Sequence, residues 1–109
     1  MVVGQHNKMN FLKKIYYQKY TKKTYSLTGV DLIIDHLFKN ISKGLYIDVG
    51  CNHPIKFNNT YLLHKRGWSG INIDSDHTTI ELFNKFRSND FNVRNIVSDC
   101  ESVKKLYFY

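Results

Sequence analysis

Proline, cysteine and tryptophan are scarce in this chain, and long apolar runs are missing. The 109 residues include one proline, two cysteines and one tryptophan. Two cysteines are too few for the disulfide framework of a small secreted scaffold. No stretch approaches the roughly 20 consecutive apolar residues that a membrane-spanning helix needs. Because 42% of the residues are hydrophobic, the composition instead predicts a single globular domain without a membrane span.

The cysteines and histidines show no metal-binding spacing. Cys51 and Cys100 belong to no Cys-x-x-Cys pair, and none of the five histidines lies at a zinc-type spacing from either cysteine. We therefore predict two reduced cysteines and no metal site. The first residues also lack a charged segment followed by an apolar run, which is the pattern of a secretory signal, so a cytoplasmic location is expected.

Positive charge is concentrated near the N-terminus. Six of the 16 basic residues, all lysines, precede the first acidic residue, Asp31. The net charge of +7 therefore lies almost entirely in this segment, and the rest of the chain is nearly neutral. We treat residues 1–24 as a basic helical arm. Its lysines can form a merely solvated helix face, or they can attract nucleic acid, anionic lipid or an acidic partner.

Two apolar periodicities predict helices in the first half of the chain. Apolar residues recur every three or four positions over residues 8–20, at Met9, Leu12, Ile15, Tyr16 and Tyr20. A second such face covers residues 29–40, and Gly44 follows it as a stop signal. Two further helices are expected after Asn59 and after Ser75 or Asp76, each of which can cap a helix N-terminus.

Three short apolar segments alternate with these helices. They are Leu45–Val49, Gly70–Asp74 and Val93–Val97. The first is apolar except for Asp48, which is typical of a central parallel strand covered on both faces. Strands that alternate with helices predict an α/β fold with a parallel sheet.

The ends of the first two strands carry the residues suited to a nucleoside ligand. Asp48 and Asp74 lie where parallel strands place ligands, and Gly50 permits close approach of a backbone to a ligand. The spacing of Asp74 suits an acid that accepts hydrogen bonds from ribose hydroxyls, although capping of the next helix is an alternative. No further glycine follows Gly50 at the dinucleotide spacing, so a diphosphate would fit poorly. An adenosine cofactor is therefore predicted.

Four segments in order resemble the FkbM-type methyltransferase family, which uses S-adenosyl-L-methionine. They are residues 25–34, 46–54, 58–63 and 66–74. The resemblance covers about residues 25–99 and implies a Rossmann-like methyltransferase fold, with residues 25–109 as a partial domain truncated after the third strand. It implies O-methylation of a sugar or related hydroxyl, so the expected partner is a small-molecule or glycan acceptor.

The same resemblance distributes roles among residues. Asp48, Gly50 and Asn52 would lie near the methionine part of the cofactor, Asp74 at the ribose, and Ser98 and Asp99 near the adenine. No catalytic base is assigned. His53 follows Asn52 in the loop and is the only candidate, but a lone histidine before proline is more often an ordinary loop residue.

Two further expectations concern partners. Leu106–Tyr109 looks like the beginning of a strand, which would expose an apolar edge and favour self-association. The rival to a methyltransferase is a non-catalytic binding module whose basic arm docks on nucleic acid or on a partner protein. Nucleic acid is not expected, because the arm contains no arginine and no nucleic-acid motif is present.

Overall fold

The protein is represented by a computed structural model, which describes residues 11–15 and 22–102. Residues 11–15 are helical. The elements that follow are, in chain order, helix α1 (Val30–Leu37), strand β1 (Leu45–Val49), helix α2 (Tyr61–Lys65), strand β2 (Ser69–Asp74), helix α3 (His77–Phe86) and strand β3 (Phe91–Arg94). No helix in the described part of the chain is both long and apolar enough to cross a membrane.

The three strands form one parallel sheet in the order β1-β2-β3. In its register, Ile47 lies opposite Ile71, and Ile71 lies opposite Phe91. A three-strand parallel sheet flanked by helices confirms the predicted α/β class. Because the strands are parallel, their carboxyl ends meet at one edge, where the loops after β1, β2 and β3 converge.

Most predicted elements lie within a few residues of their expected positions. The first strand matches at both ends, and the second begins one residue early. The third strand was misplaced, since it runs over Phe91–Arg94 and ends before Val97. Its position follows from contacts with β2: the Asp90 carboxylate accepts a hydrogen bond from the Gly70 amide, and Asn72 donates to Asn92.

The helical layer covers one face of the sheet. Tyr46 on that face packs with Leu63 of α2 and with Trp68, and Ile34 of α1 packs against this cluster. A second cluster joins Ile80 and Phe83 of α3 to Cys51. These two clusters form the apolar core of the described residues.

The expectation that β1 is a central strand covered on both faces is wrong for the described residues. β1 lies at an edge of the sheet, and Leu45, Ile47 and Val49 are 81%, 67% and 56% exposed. The apolar run was correctly assigned to a strand, but composition cannot reveal which elements pack on its second face. The predicted N-terminal helix is described only over residues 11–15, and Leu106–Tyr109 lies outside the described residues.

Candidate ligand site at the carboxyl end of the sheet

The loop after β1 turns sharply over the end of β2. The amides of Gly50 and Cys51 both donate to the Ile73 carbonyl, at 2.8 and 3.2 Å. Gly50 and Asn52 have positive φ angles of 70° and 64°. Glycine adopts this conformation without steric cost, and asparagine tolerates it better than most residues, which explains their places in the turn.

Asp74 ends β2 beneath this loop, and two backbone amides hold its carboxylate. Oδ2 accepts a hydrogen bond from the Asn52 amide at 3.0 Å, and Oδ1 accepts one from the Asp76 amide at 2.9 Å. Each carboxylate oxygen can accept more than one hydrogen bond. The group is therefore fixed in position and retains the capacity to bind hydroxyl donors. Capping of α3 belongs to Asp76, whose side chain accepts from the Thr78 amide.

A cleft of about 320 Å³ opens beside Asp74. It is lined by Val49, Gly50, Ile73, Asp74, Ser75, Asn95, Ile96 and Val97. The lining combines aliphatic side chains with one carboxylate, which is the usual composition of a small-molecule site. Gly50 and Asp74, which the sequence predicts as site residues, are thus brought together.

A second cleft of about 390 Å³ continues from the first. Its lining consists of Asn95, Ile96, Ser98, Asp99, Cys100, Glu101 and Ser102, so Asn95 and Ile96 form a wall common to both clefts. Ser98 and Asp99, which the sequence predicts near the adenine, therefore line the second cleft and not the Asp74 cleft.

Asp48 is half-buried and faces a different set of partners. Its Oδ2 accepts hydrogen bonds from Asn58 Nδ2 at 3.2 Å and from Thr60 Oγ1 at 2.9 Å. Neither cleft includes Asp48 in its lining. In this structure the carboxylate therefore binds the loop that leads to α2.

Asn58, rather than the predicted Asn59, prepares the N-terminus of α2. Its Oδ1 accepts hydrogen bonds from the amides of Thr60 at 2.9 Å and Tyr61 at 2.7 Å. Asn58 is 2% exposed and also donates to the Cys51 carbonyl at 3.0 Å. It ties the loop after β1 to the helix that follows.

His53 uses one ring nitrogen to shape the same loop. Nδ1 accepts hydrogen bonds from the amides of Ile55 at 3.1 Å and Lys56 at 3.0 Å, so a proton on the neutral ring resides on Nε2. The ring lines neither cleft. This geometry favours a loop-stabilising role for His53.

A buried arginine supports this whole region, and sequence reasoning missed it. Arg87 is 1% exposed, and its guanidinium donates to the Pro54 carbonyl at 2.8 and 3.0 Å, to Asn58 Oδ1 at 2.7 Å and to Thr60 Oγ1 at 2.8 Å. In the sequence, Arg87 directly follows the last residue of α3, and a basic residue at a helix C-terminus is commonly exposed and interacts favourably with the helix dipole. The only other feature of the sequence that could have indicated a buried ion pair is Asp90, three residues after Arg87.

Asp90 completes the buried polar network. Its carboxylate lies 4.0 Å from the Arg87 guanidinium and accepts hydrogen bonds from Asn72 and from the Tyr46 hydroxyl. Burial, together with the Asp90 hydrogen bond, raises the pKa of Tyr46, so this phenol stays protonated as a donor. The network connects the sheet to the loop that borders the candidate site.

Cys51 also lies under the loop, but it is not a reactive nucleophile. Burial, followed by the negative charges of Asp48 and Asp74, raises the pKa of its thiol to about 12. Because the thiolate is the nucleophilic form, Cys51 serves as a packing residue. No group of three or more His, Cys, Asp or Glu side chains within the described ranges could hold a metal ion.

No family model matches the chain, and no curated protein or solved structure is similar enough to match it. The geometry around Asp74 and the resemblance noted in the sequence are therefore the basis for assigning a function.

Proposed function

We propose that this protein binds S-adenosyl-L-methionine and is the cofactor-binding part of a Rossmann-like, FkbM-type methyltransferase. The observation that carries the proposal is the Asp74 carboxylate in a largely aliphatic cleft at the carboxyl end of a parallel sheet, with Gly50 in the same lining. Open α/β sheets bind ligands at this end, and a strand-end acid is the usual partner of ribose hydroxyls.

The two clefts together suit an adenosine-sized ligand. Asp74 would accept hydrogen bonds from the ribose, and the aliphatic side chains of Ile96 and Val97 would pack against the adenine. Ser98 and Asp99 in the neighbouring cleft offer polar groups for the edge of the base. The methionine part would extend over Gly50, where the absence of a side chain leaves open space.

The protein's contribution to methyl transfer would be positioning. The cofactor supplies a methyl group activated on a sulfonium, and the loop after β1 would fix its orientation toward an acceptor hydroxyl of a sugar or related molecule. Orientation alone accounts for much of the acceleration in such displacements. His53 is not suited to take the acceptor's proton, because its Nδ1 accepts two backbone hydrogen bonds, its Nε2 carries the proton of the neutral ring, and it lines neither cleft. No other described side chain is assigned as the base.

Calorimetric titration with S-adenosylhomocysteine, the product form of the cofactor, tests the proposal. Asp74→Ala should weaken binding at least tenfold, since hydrogen bonds to a charged group are each worth roughly 1.5–3 kcal/mol. Glu81→Ala, an exposed acid on α3, is the matched control and should bind like the wild type. Circular dichroism should show that both variants remain folded.

Two results would contradict the proposal in different ways. Wild-type protein that binds neither S-adenosylhomocysteine nor S-adenosyl-L-methionine at millimolar concentration would reject the cofactor itself. Unchanged affinity in folded Asp74→Ala would retain the cofactor but remove Asp74 from its site.

A second candidate function is a module that docks an anionic partner. A cleft of about 280 Å³ on the helical side is lined by three lysines, Lys22, Lys23 and Lys65, together with Tyr25, Leu32, Asp35 and Leu62. Asp35 is paired with Arg66 at 2.8 Å, which leaves the lysines as the excess charge. Binding of single-stranded nucleic acid or an acidic peptide that falls steeply with salt, and is lost in Lys22→Glu/Lys23→Glu, would favour this module.

A further inference from the structure

The helical segment at residues 11–15 presents an apolar arc to solvent. An α-helix turns by about 100° per residue, so Phe11, Leu12 and Ile15 fall within an arc of about 100°. They are 64%, 59% and 49% exposed, and we call these three side chains the apolar arc. Single exposed apolar residues are ordinary on a protein surface, but three that share one side of a helix form a surface that a partner can bury.

Lysines accompany the apolar arc, and no acid offsets their charge. Lys13 and Lys14 lie outside the arc and are exposed. In the sequence, six lysines and no acidic residue precede Asp31. A basic segment with apolar residues between its lysines is typical of a helix that lies in the interface of an anionic membrane.

Positive charge continues where the chain enters the domain. Lys22, Lys23 and Lys65 line the cleft on the helical side. The ammonium groups of Lys23 and Lys65 lie 5.1 and 5.3 Å from the centre of the Tyr25 ring. The only carboxylate in the cleft lining is held in an ion pair by Arg66. The domain surface at this point therefore has the same charge sign as the segment before it.

We propose that residues 11–15 and the three cleft lysines dock this protein on the surface of a bilayer that contains anionic lipid. The apolar arc would enter the boundary between head groups and acyl chains, and the lysines would lie at the anionic head groups. This inference goes beyond the proposed cofactor site, because none of these residues lines either cleft at the carboxyl end of the sheet.

The apolar arc favours lipid over other anionic partners. Lysines bind nucleic-acid phosphates without help from aliphatic side chains. Binding of single strands that does not depend on sequence uses aromatic rings on which bases stack. Leu12 and Ile15 provide no such ring, but both suit a hydrocarbon boundary. A membrane interface takes up the lysine charges and the aliphatic side chains together.

Co-sedimentation of the full chain with lipid vesicles tests the docking. One set of vesicles contains phosphatidylcholine alone, and the other contains phosphatidylcholine and phosphatidylserine at a ratio of about 7:3. We expect partition onto the anionic vesicles to be at least tenfold stronger, and to fall as the salt concentration rises from about 0.05 to about 0.5 M. No cofactor is added, so this experiment and the titration with S-adenosylhomocysteine succeed or fail separately.

A matched pair of variants tests the apolar arc. Leu12→Ser/Ile15→Ser should weaken partition onto anionic vesicles at least tenfold, because two side chains no longer leave water. Its control, Ile33→Ser/Leu37→Ser, removes two apolar side chains of α1 that are 61% and 70% exposed. The control should bind like the wild type, and circular dichroism should show that both variants remain folded.

A second pair tests the charge. Lys13→Gln/Lys14→Gln should also weaken partition at least tenfold, whereas Lys39→Gln/Lys43→Gln, which removes two exposed lysines elsewhere, should not. Equal partition onto neutral and anionic vesicles, no binding to either, or equal losses in a variant and its control would overturn the proposal. Retention of single-stranded RNA or polyglutamate without vesicle binding would also overturn it and assign the lysines to that partner.

Discussion

Replacing Arg87 should destabilise the fold more than any other single change to a charged residue described above. Arg87→Met keeps a long, apolar side chain of similar length but removes every hydrogen bond of the guanidinium. The Pro54 carbonyl, Asn58 Oδ1 and Thr60 Oγ1 all lose a donor. The Asp90 carboxylate, whose side chain is fully buried, loses its nearest cation.

The size of this destabilisation follows from the cost of removing only one member of a buried ion pair. Removing one partner leaves an uncompensated buried charge, which costs about 3–5 kcal/mol. A small domain has about 5–15 kcal/mol of total stability. With a urea dependence near 2 kcal/mol per molar for a domain of this size, the unfolding midpoint of Arg87→Met should fall by about 2 M.

Urea unfolding followed by tryptophan fluorescence measures this change directly. Trp68 is the only tryptophan and is 7% exposed, so its emission reports on the loss of the core. Arg94→Met is the matched control, because Arg94 is exposed and, among the described residues, its side chain donates only to the Ser75 carbonyl. It should change the free energy of unfolding by less than about 0.5 kcal/mol.

A double variant isolates the buried charge from the lost hydrogen bonds. Asp90→Asn removes the charge that Arg87 compensates, so Arg87→Met/Asp90→Asn should cost less than the sum of the two single changes. If Arg87→Met lies within about 1 kcal/mol of the wild type, or if the two changes add, the guanidinium does not support the loop as described.

Three smaller tests address other parts of the fold. Burial and the positive charge of Arg87 lower the pKa of His64 below its ordinary value of 6.5, so the unfolded state binds the proton more readily. The free energy of unfolding should therefore decline as the pH falls from 6.5 toward the folded-state pKa. Urea unfolding between pH 5 and 8 should show a smaller decline of this free energy for His64→Gln than for the wild type. Iodoacetamide at pH 8 should alkylate exposed Cys100 in the native protein but Cys51 only after unfolding, as intact mass will show. Gly70→Ala should cost about 1–3 kcal/mol, because a methyl group there would overlap Tyr46, and a thermal midpoint equal to the wild type would contradict that clash.

Local patterns in the sequence predicted elements well where one physical signal dominated. The apolar run at Leu45–Val49, interrupted only by Asp48, and the cap at Asp76 are local features, and both are present in the structure. The third strand was displaced because its register depends on Asp90 and Asn92 meeting β2, about twenty residues away in the chain. A prediction made from the pattern of neighbouring residues cannot detect a contact over that distance in the chain.

One part of the candidate site could also be predicted from the sequence, and another part could not. Gly50 and Asp74 line one cleft because strand ends of a parallel sheet converge, and that consequence can be foreseen from two strand assignments. The hydrogen bonds that Asp48 accepts from Asn58 and Thr60 could not be predicted, because those partners come close only when the loop after β1 folds back over the sheet.

The sequence by itself determined the α/β class, the parallel strands and the placement of an acid at the end of β2, since periodicity and turn residues act over a few positions. Only the tertiary structure decided that Arg87 is buried beneath the loop and that one sheet face is left open. Both depend on which surfaces meet, and a helix-terminal arginine or an apolar strand has the same local pattern whether it is covered or exposed.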